Sequence, residues 1–459
     1  MERDALDFGR MNIPRLFIKL FVPTLLGLLF GALLNLADGI FVGRGVGSDA
    51  LAAVNIAAPL FLVATGLALM FGAGVSVVAA IHLSRGNQKA ASINVTQALT
   101  VSVFLMTIVC VIVYLFPETT ARLFGGSDRL MPYVLDYMLW VMPSLLGCMV
   151  TFIGMFVIRL DGSPKFAMMC EIVPSVINIV LDYICVFPLA MGIKGAAIAT
   201  SVSQFVGVLM VLAYFMRSPG QIHLYRPKFT PKSIRLTMRN IGYMVKLGAS
   251  NFIGEAAMAS LMVVGNYMFI SRLGEDGVAA FSVACYLFPL VFMIGNAIAQ
   301  SALPIISYNY GVGQWDRIHY TRNISLSLAA ACGLLTTIGG IFFSPTVAGM
   351  FLESGQPSWQ IAVNGFPWYS LSFALFAVNV VFIGYYQSIG RPHPAIVFML
   401  LRGFIVIIPT FILLPTVIGD LGLWLAVPLS ELLTLVVITA YSRTAKRKTV
   451  KTTALGNTM

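Results

Sequence analysis

The sequence has few charged residues. Asp, Glu, Lys and Arg make up only 10% of its 459 residues, whereas about 25% is usual for a soluble domain. Hydrophobic residues make up 58% of the chain. Because so few polar groups cannot cover the surface of a soluble protein of this length, the bilayer must be the solvent for most of the chain.

Histidine and cysteine are also scarce, and neither forms a pattern that is typical of an enzyme. The six cysteines fall in apolar segments without paired spacing, which indicates buried small side chains rather than disulfides or metal ligands. The sequence shows no nucleotide-binding loop of the Walker type and no convincing nucleophile–base set. We therefore expect neither an enzyme nor a bound cofactor.

Long apolar runs are abundant. A spanning helix needs about 20 mainly apolar residues. Twelve segments satisfy this requirement: 16–43, 51–80, 93–116, 132–158, 167–188, 194–216, 243–271, 278–307, 323–345, 360–388, 395–415 and 420–442. The sequence therefore predicts an all-α membrane protein with four regions. These are an N-terminal lobe (1–216), a cytoplasmic basic linker (217–242), a C-terminal lobe (243–442) and a basic cytoplasmic tail (443–459).

The basic residues predict the orientation. If both termini and the linker are cytoplasmic, 23 of the 29 Lys and Arg lie on the cytoplasmic side, as the positive-inside rule requires. The outer loops would hold five: Arg44, Arg122, Arg129, Lys194 and Arg272. The net charge of +11 is thus explained by topology rather than by nucleic acid. We expect a multi-pass protein of the plasma (inner) membrane, monomeric, with the bilayer and a small organic molecule as its partners.

The two halves of the chain repeat when one is displaced by about 227 residues. The matches include four pairs of glycines: Gly47 with Gly274, Gly86 with Gly313, Gly162 with Gly390 (one residue further along) and Gly192 with Gly419. Because each half has an even number of helices, the halves share one orientation and are related by an axis along the membrane normal. Two such six-helix lobes around a central cleft favour a carrier over a channel or an anchored enzyme.

Several motifs resemble those of the multidrug and toxic compound extrusion (MATE) family of secondary antiporters. They are Asn35-Leu-Ala-Asp38, Phe41-Val-Gly-Arg44, Ala52-Ala53, Pro174-Ser-Val-Ile-Asn178 with Asp182-Tyr183, Gly192-Ile-Lys-Gly195 with Thr200, and Pro304-Ile-Ile-Ser-Tyr308-Asn309-Tyr310-Gly311. The resemblance covers essentially the whole chain. It implies a twelve-helix antiporter with a central drug-binding cleft and cation coupling in one lobe, and it does not supply the substrate.

Polar residues in three N-terminal spans predict a cation site. Asp38, Asp182 and Thr200 lie at a similar depth, ~8–9 Å from the outer surface, and Asn178 is one turn below Asp182. Intramembrane acids cost at least ~2.5 kcal/mol each on insertion scales and usually indicate function. These hard oxygens suit sodium, or a proton shared between two acids. The resemblance gives matching positions the same role, whereas helix–helix hydrogen bonding is the alternative, above all for Thr200.

Other polar residues leave alternatives open. Asn35 and Glu255 are candidate cation or substrate contacts. Arg402 is predicted to form a structural ion pair with Glu431 or Glu255, because a buried Arg strongly prefers a carboxylate. Since Arg402 is the one cation expected inside the membrane, cationic or neutral cargo is favoured. The predicted function is export of small cationic or amphipathic compounds in exchange for H⁺ or Na⁺. A flippase or exporter of a lipid-linked or other amphipathic metabolite is the nearest alternative.

Overall fold

The computed structural model describes residues 6–124, 126–217, 220–227 and 230–456. Side chains are left undescribed at positions 35, 36, 48, 286, 289 and 290 and from 445 onward. Within this described part of the chain every regular element is helical and no strand occurs. Twelve helical segments are long and apolar enough to cross a membrane. The predicted all-α class and its twelve spans are therefore confirmed.

The first half forms seven helices. They are α1 (Ile13–Gly45), α2 (Ser48–Ser84), α3 (Gln88–Leu115), α4 (Pro117–Leu123), α5 (Met131–Leu160), α6 (Pro164–Val186) and α7 (Gly192–Arg217). Proline occupies the first turn of α1, α4, α5 and α6, where its missing N–H removes no helical hydrogen bond. All except α4 coincide with predicted spans, and their ends differ from the predicted ends by a few residues.

The second half begins within the predicted linker. Its helices are α8 (Pro231–Gly311), α9 (Trp315–Phe342), α10 (Ser344–Gly349), α11 (Pro357–Ser370), α12 (Ser372–Ser388), α13 (Pro392–Leu400), α14 (Ile407–Ile418) and α15 (Leu421–Gly456). The helix α8 starts twelve residues before the predicted span because Pro231 opens it and the side chain of Thr230 accepts a hydrogen bond from Ser233 N. Gly274, with φ 66°, interrupts α8 between the two predicted spans, 243–271 and 278–307.

The repeat is visible in the backbone. Each half has four glycines with positive φ that match the four pairs aligned in the sequence: Gly47 and Gly274, Gly86 and Gly313, Gly162 and Gly390, Gly192 and Gly419. A left-handed conformation is readily available only to glycine. The two halves therefore use the same turn chemistry at corresponding chain reversals, and this confirms the predicted repeat.

In the second half, backbone carbonyls at helix breaks accept hydrogen bonds from side chains. Pro367 in α11 cannot bond to the carbonyl of Val363, and the hydroxyl of Ser344 donates to that carbonyl at 2.9 Å. The hydroxyl of Thr337 donates to Ser370 O, where α11 ends, also at 2.9 Å. Because hydrocarbon supplies no hydrogen-bond partner, such donors are needed wherever a membrane helix is broken.

The chain divides into two compact units. The first consists of the described residues of Met1–Glu255, Gln300–Thr321 and Gln387–Pro392. The second consists of those of Ala256–Ala299, Arg322–Tyr386 and His393–Met459. The core of the second is strongly aromatic: the rings of Phe269 and Phe281 stack with centroids 4.5 Å apart, and Trp424 meets Phe269 edge-on. The division of the chain into lobes, linker and tail stays a prediction.

A short N-terminal segment is held within the first unit. The side chain of Asn309 donates to Phe8 O at 3.0 Å, and Arg317 donates to Phe8 O and Met11 O at 2.9 and 2.8 Å. Arg317 also donates to Asn309 Oδ1 at 3.0 Å. Asn309 belongs to one of the motifs that carry the family resemblance, and its contacts here are structural.

Candidate cation-coupling site

Asn178 joins the helices α6 and α7. With its amide nitrogen toward Asp182, Nδ2 donates to Asp182 Oδ2 and Oδ1 accepts from Thr200 N, both at 3.1 Å. The reverse orientation leaves a contact of 3.5 Å to Thr200 Oγ1 and turns the amide oxygen toward acceptors. We assign the first orientation because it satisfies both ends of the amide. The structure therefore brings together three of the residues predicted to form the cation site.

The two carboxyls of the site each have an orphaned oxygen. Among the described residues, Asp38 Oδ1 on α1 and Asp182 Oδ1 on α6 are buried and accept no hydrogen bond. The two groups are within electrostatic reach of each other, and α1 packs on α6. Burial without a donor disfavours an ionised carboxylate. Each acid therefore needs a proton or a cation to compensate its charge.

Tyr137 on α5 is a neighbour of the two acids that the sequence did not reveal. Its side chain is 2% exposed and lies within electrostatic reach of both Asp38 and Asp182. A tyrosine inside a span is compatible with core, lipid or interface positions, so the sequence alone gave no reason to select it. The site itself is built from α1, α6 and α7, and α5 brings Tyr137 near it.

The helix ends refine the predicted depths. Asp38 lies seven residues before the end of α1, ~10 Å along the axis. Asn178 and Thr200 both lie eight residues from the corresponding helix ends, ~12 Å, while Asp182 is four residues from its end, ~6 Å. The cluster therefore extends over about one turn of helix along the membrane normal. Asn35, a further candidate, lies outside the residues whose side chains are described.

The chemistry of the cluster suits a monovalent ion. It offers two carboxyls and a hydroxyl, with the Asn178 amide holding one carboxyl in place, and in the described residues no group of three or more His, Cys, Asp or Glu forms a metal site. Divalent metals usually take more charged or nitrogen and sulfur ligands. Two neighbouring acids can share one proton, and their oxygens can also contact Na⁺. These residues therefore fit either predicted coupling ion.

Glu255 on α8 has different neighbours. Its Cβ lies 3.6 Å from the position that a Cβ on Gly66 of α2 would take, and Phe252 lies closer still at 2.9 Å. The absence of a side chain at Gly66 therefore allows α8 to pack closely against α2 beside the acid. The side chain of Glu255 is only partly exposed, and its predicted role as a cation or substrate contact stays a prediction.

Arg402 and Glu431 form a buried ion pair in the second unit. Arg402 Nη2 lies 2.5 Å from Glu431 Oε1, and the guanidinium stands over the ring of Phe376 at 4.3 Å. The carboxylate also accepts from Asn379 Nδ2 at 2.7 Å. Arg402 lies in a π-helical turn, Leu401–Ile405, between α13 and α14. Of the two acids predicted as partners for Arg402, the structure selects Glu431.

Arg159 corrects the distribution of cations that the sequence suggested. The apolar run before it predicts a cytoplasmic loop at this position, but α5 runs on to Leu160 and the side chain of Arg159 is only 4% exposed. Its Nη1 donates to Gln300 Oε1 at 2.8 Å, and Glu171 on α6 is within electrostatic reach. Hence Arg402 is not the only buried cation in the described membrane spans, and the number of intramembrane cations does not by itself favour cationic cargo.

The twelve membrane spans and the repeat define the chain as a polytopic membrane protein built from two similar halves. The family model MatE matches residues 23–184 and again residues 252–412, which is well over half of the chain. The chain therefore belongs to the MATE family of multidrug and toxic compound efflux transporters. The two matches begin 229 residues apart, in agreement with the repeat.

Individual relatives are distant but similar over nearly their full length. A FAD transporter of Shewanella oneidensis is 25% identical over 93% of this chain and 94% of its own length. The multidrug export protein MepA of Staphylococcus aureus is 21% identical over 90% of each chain. An outward-facing multidrug resistance MATE transporter superposes with a TM-score of 0.88 at 21% identity, covering 97% of this chain and 98% of its own. A MOP superfamily transporter of Pyrococcus furiosus, described as having a binding pocket of reverse polarity, superposes with a TM-score of 0.87 at 21% identity. The superposition covers 95% of this chain and 97% of the other.

Proposed function

We propose that this transporter exports small, cationic or amphipathic organic compounds in exchange for H⁺ or Na⁺, with the ion bound at Asp38, Asn178, Asp182 and Thr200. The observation that carries the proposal is the pair of orphaned carboxyl oxygens on α1 and α6. A buried carboxyl oxygen without a donor destabilises the fold unless its charge is compensated. Two such oxygens on neighbouring helices therefore suit a site that takes and releases a cation.

Coupling would act through α1. This helix carries Asp38 and also Pro23, which removes a backbone hydrogen bond and allows a bend. Charge compensation at Asp38 would change the preferred bend of α1 and lower the affinity of the protein for the drug. The two repeats would then rock, the cation would leave to the cytoplasm, and new drug would bind. Drug and cation thus oppose each other, and the coupling must be reciprocal.

We place the protein in the plasma membrane, with both termini in the cytoplasm. Four of the five basic residues assigned to the outer side have an acidic neighbour there: Arg122 with Asp128, Arg129 with Asp49, Lys194 with Asp136 and Arg272 with Asp420. Local pairing reduces the net positive charge of that face. The proposed orientation itself is supported by the count of Lys and Arg on the two sides.

Transport by purified protein in vesicles tests the proposal directly. Sodium and proton gradients are imposed one at a time, and the movement of a lipophilic cationic dye is followed against an anionic dye of equal size. We expect one gradient, and not the other, to drive uphill export of the cationic dye. Downhill movement alone, with no response to either gradient, would contradict antiport.

An exporter of anionic amphipathic metabolites is the second candidate. The buried Arg159, which the sequence did not place in the membrane, could bind an anionic group. The relative from Shewanella oneidensis is a FAD transporter, and FAD is an anionic amphiphile. Adding FAD to the same vesicles separates the candidates: ion-driven FAD export that Arg159→Gln abolishes would favour the second, and export of the cationic dye alone would favour the first.

A further inference from the structure

A cavity of about 720 Å³ lies between α3, the linker and the start of α8. One wall is a face of α3 that runs from Lys89 in its first turn to Phe104. Ile234 and Met238 of α8 also line the cavity, as do Tyr225 and Arg226 of the linker. All of these residues belong to the first compact unit.

The length of the cavity matches one leaflet of a membrane. Lys89 and Phe104 are fifteen residues apart on α3, which corresponds to ~22 Å of helix. A bilayer including its headgroup regions is ~40–45 Å thick, so one leaflet takes about half of that. A single phospholipid can therefore lie along α3 with its headgroup beside Lys89 and its chains toward Phe104.

The polar groups at the base of the cavity already have partners. Gln97 donates to Thr237 Oγ1 at 2.9 Å and accepts from Asn240 Nδ2 at 3.0 Å. Thr96 Oγ1 accepts from Tyr225 N at 3.1 Å. Since these groups need no new partner, an apolar chain can cover them without leaving them unsatisfied. Meanwhile Phe104 and Met238 are 63% and 67% exposed and offer apolar surface.

The charge at the rim selects the headgroup. Lys89 and Arg226 are the two ionised residues among those that line the cavity, and no acidic residue is among the described residues of that lining. Both are exposed. Basic pockets between membrane helices bind anionic headgroups by charge. We propose that this cavity binds one anionic phospholipid, with its phosphate at Lys89 and Arg226, from the leaflet on the side of the linker.

The bound lipid would join elements that are distant in sequence. It would lie against α3, against Tyr225 and Arg226 of the linker, and against the first turns of α8, which precede the predicted membrane-spanning part of that helix. The lipid would thus hold the linker against the N-terminal helices. This binding does not depend on which compound is exported or which ion is coupled.

Native mass spectrometry of the purified full-length transporter tests the proposal. Dioleoyl-phosphatidylglycerol and dioleoyl-phosphatidylcholine, which share their chains, are titrated separately. The anionic lipid should bind with higher affinity, and the double variant Lys89→Gln/Arg226→Gln should bind it about 30-fold more weakly, from roughly a factor of five for each lost charge. The matched control is Arg235→Gln/Arg239→Gln. This variant removes two exposed charges from the first turns of α8, and neither residue lines the cavity. It should change the affinity by less than twofold.

Two further measurements locate the chains. Thr100→Trp fills the cavity from an exposed position on α3 and should displace the lipid while both charges remain. Glycerophosphate, which carries the headgroup charge without chains, should not compete. Equal affinity for the two lipids, equal loss in the control variant, unchanged binding in Thr100→Trp, or full competition by glycerophosphate would each overturn the proposal.

Discussion

Asn178 donates to one oxygen of Asp182, 3.1 Å away, and leaves the other oxygen of that carboxyl without a partner among the described residues. The amide is fixed from the other side because its own oxygen accepts from Thr200 N. Asn178 thus orients the acid toward the site. Replacing it with alanine should leave both oxygens of Asp182 without a donor.

We therefore expect Asn178→Ala to destabilise the folded protein by about 1–3 kcal/mol, the usual penalty for an unsatisfied buried polar group. Ion-driven transport should fall more than the amount of folded protein does. Thermal unfolding in detergent and transport per folded molecule measure the two effects. Thr200→Val is the comparison, since it keeps the backbone N–H that holds Asn178. Thr200→Val should lower coupling less than Asn178→Ala does, because it removes one proposed ion contact and leaves the Asp182 carboxyl oriented. Equal losses in the two variants would contradict the orienting role of Asn178.

Tyr137 offers a test of a residue that only the structure identified. Tyr137→Phe keeps the ring in its buried place on α5 and removes the hydroxyl near the two acids. We expect the hydroxyl to contribute about 1 kcal/mol to ion binding, so its removal should weaken the apparent affinity for the coupling ion about fivefold. The ion concentration that half-activates dye export gives this value. Tyr214→Phe, which removes a buried hydroxyl bonded instead to Asp161 at 2.8 Å, should leave that concentration unchanged.

The sequence predicted most of the fold because hydrophobicity alone marks a membrane span. The hydrogen-bonding demands of hydrocarbon then allow little other than helix. Turn glycines were equally informative, since a left-handed residue such as Gly86 or Gly313 has few substitutes. The early start of α8 at Pro231 could not be predicted from hydrophobicity because its first turns are polar and lie outside the apolar window.

Burial of single side chains was harder to predict. Arg159 follows the last apolar residues of its run, which is typical of a loop, yet neighbouring helices cover it and Gln300 accepts a hydrogen bond from its guanidinium. Tyr137 and Arg159 take their roles from helices that are far away in the sequence. Asp38, Asn178 and Asp182 could be selected because acids and amides are rare in spans and their depths can be compared along single helices.

The pair Arg402–Glu431 should be important for stability. Arg402→Gln would leave the Glu431 carboxylate buried with Asn379 as its remaining side-chain donor among the described residues. Breaking a buried pair from one side typically costs about 3–5 kcal/mol, whereas removing both charges costs much less. We expect Arg402→Gln to lower the yield of folded protein and Arg402→Gln/Glu431→Gln to restore much of it, measured by size-exclusion chromatography. Normal folding of the single variant with loss of transport would instead assign Arg402 to the mechanism.

The proposed orientation can be checked with an impermeant thiol reagent on intact cells. Ser127 and Ser354 are exposed in loops on the predicted outer side, and Gln221 is exposed in the linker. Cysteines introduced at the first two positions should react from outside, and one at Gln221 should react only after the cells are opened. Glycines in the outer loops are poorer choices: Gly47 has φ 119°, and a Cβ on Gly126 would lie 2.8 Å from Ala121 O. The reverse pattern of labelling would invert the topology.

Asp38 is the residue on which the proposed coupling depends most. Asp38→Asn keeps the shape of the side chain on α1 but removes both its charge and its ability to bind a proton. The variant should insert and bind dye, because the carboxyl group is replaced by a neutral carboxamide of similar size. It should not export dye against a gradient, and dye release from the purified protein should no longer respond to pH or sodium.

Glu255→Gln is the matched control for Asp38→Asn. It neutralises another acid within a membrane helix, one that packs beside Gly66 of α2. If the ion site is the cluster around Asp182, Glu255→Gln should retain the ion dependence of transport even if its rate for some dyes changes. Dye export at the wild-type rate by Asp38→Asn, with intact ion dependence, would place the coupling site elsewhere. Loss of that dependence in Glu255→Gln would then identify Glu255 as the coupling acid.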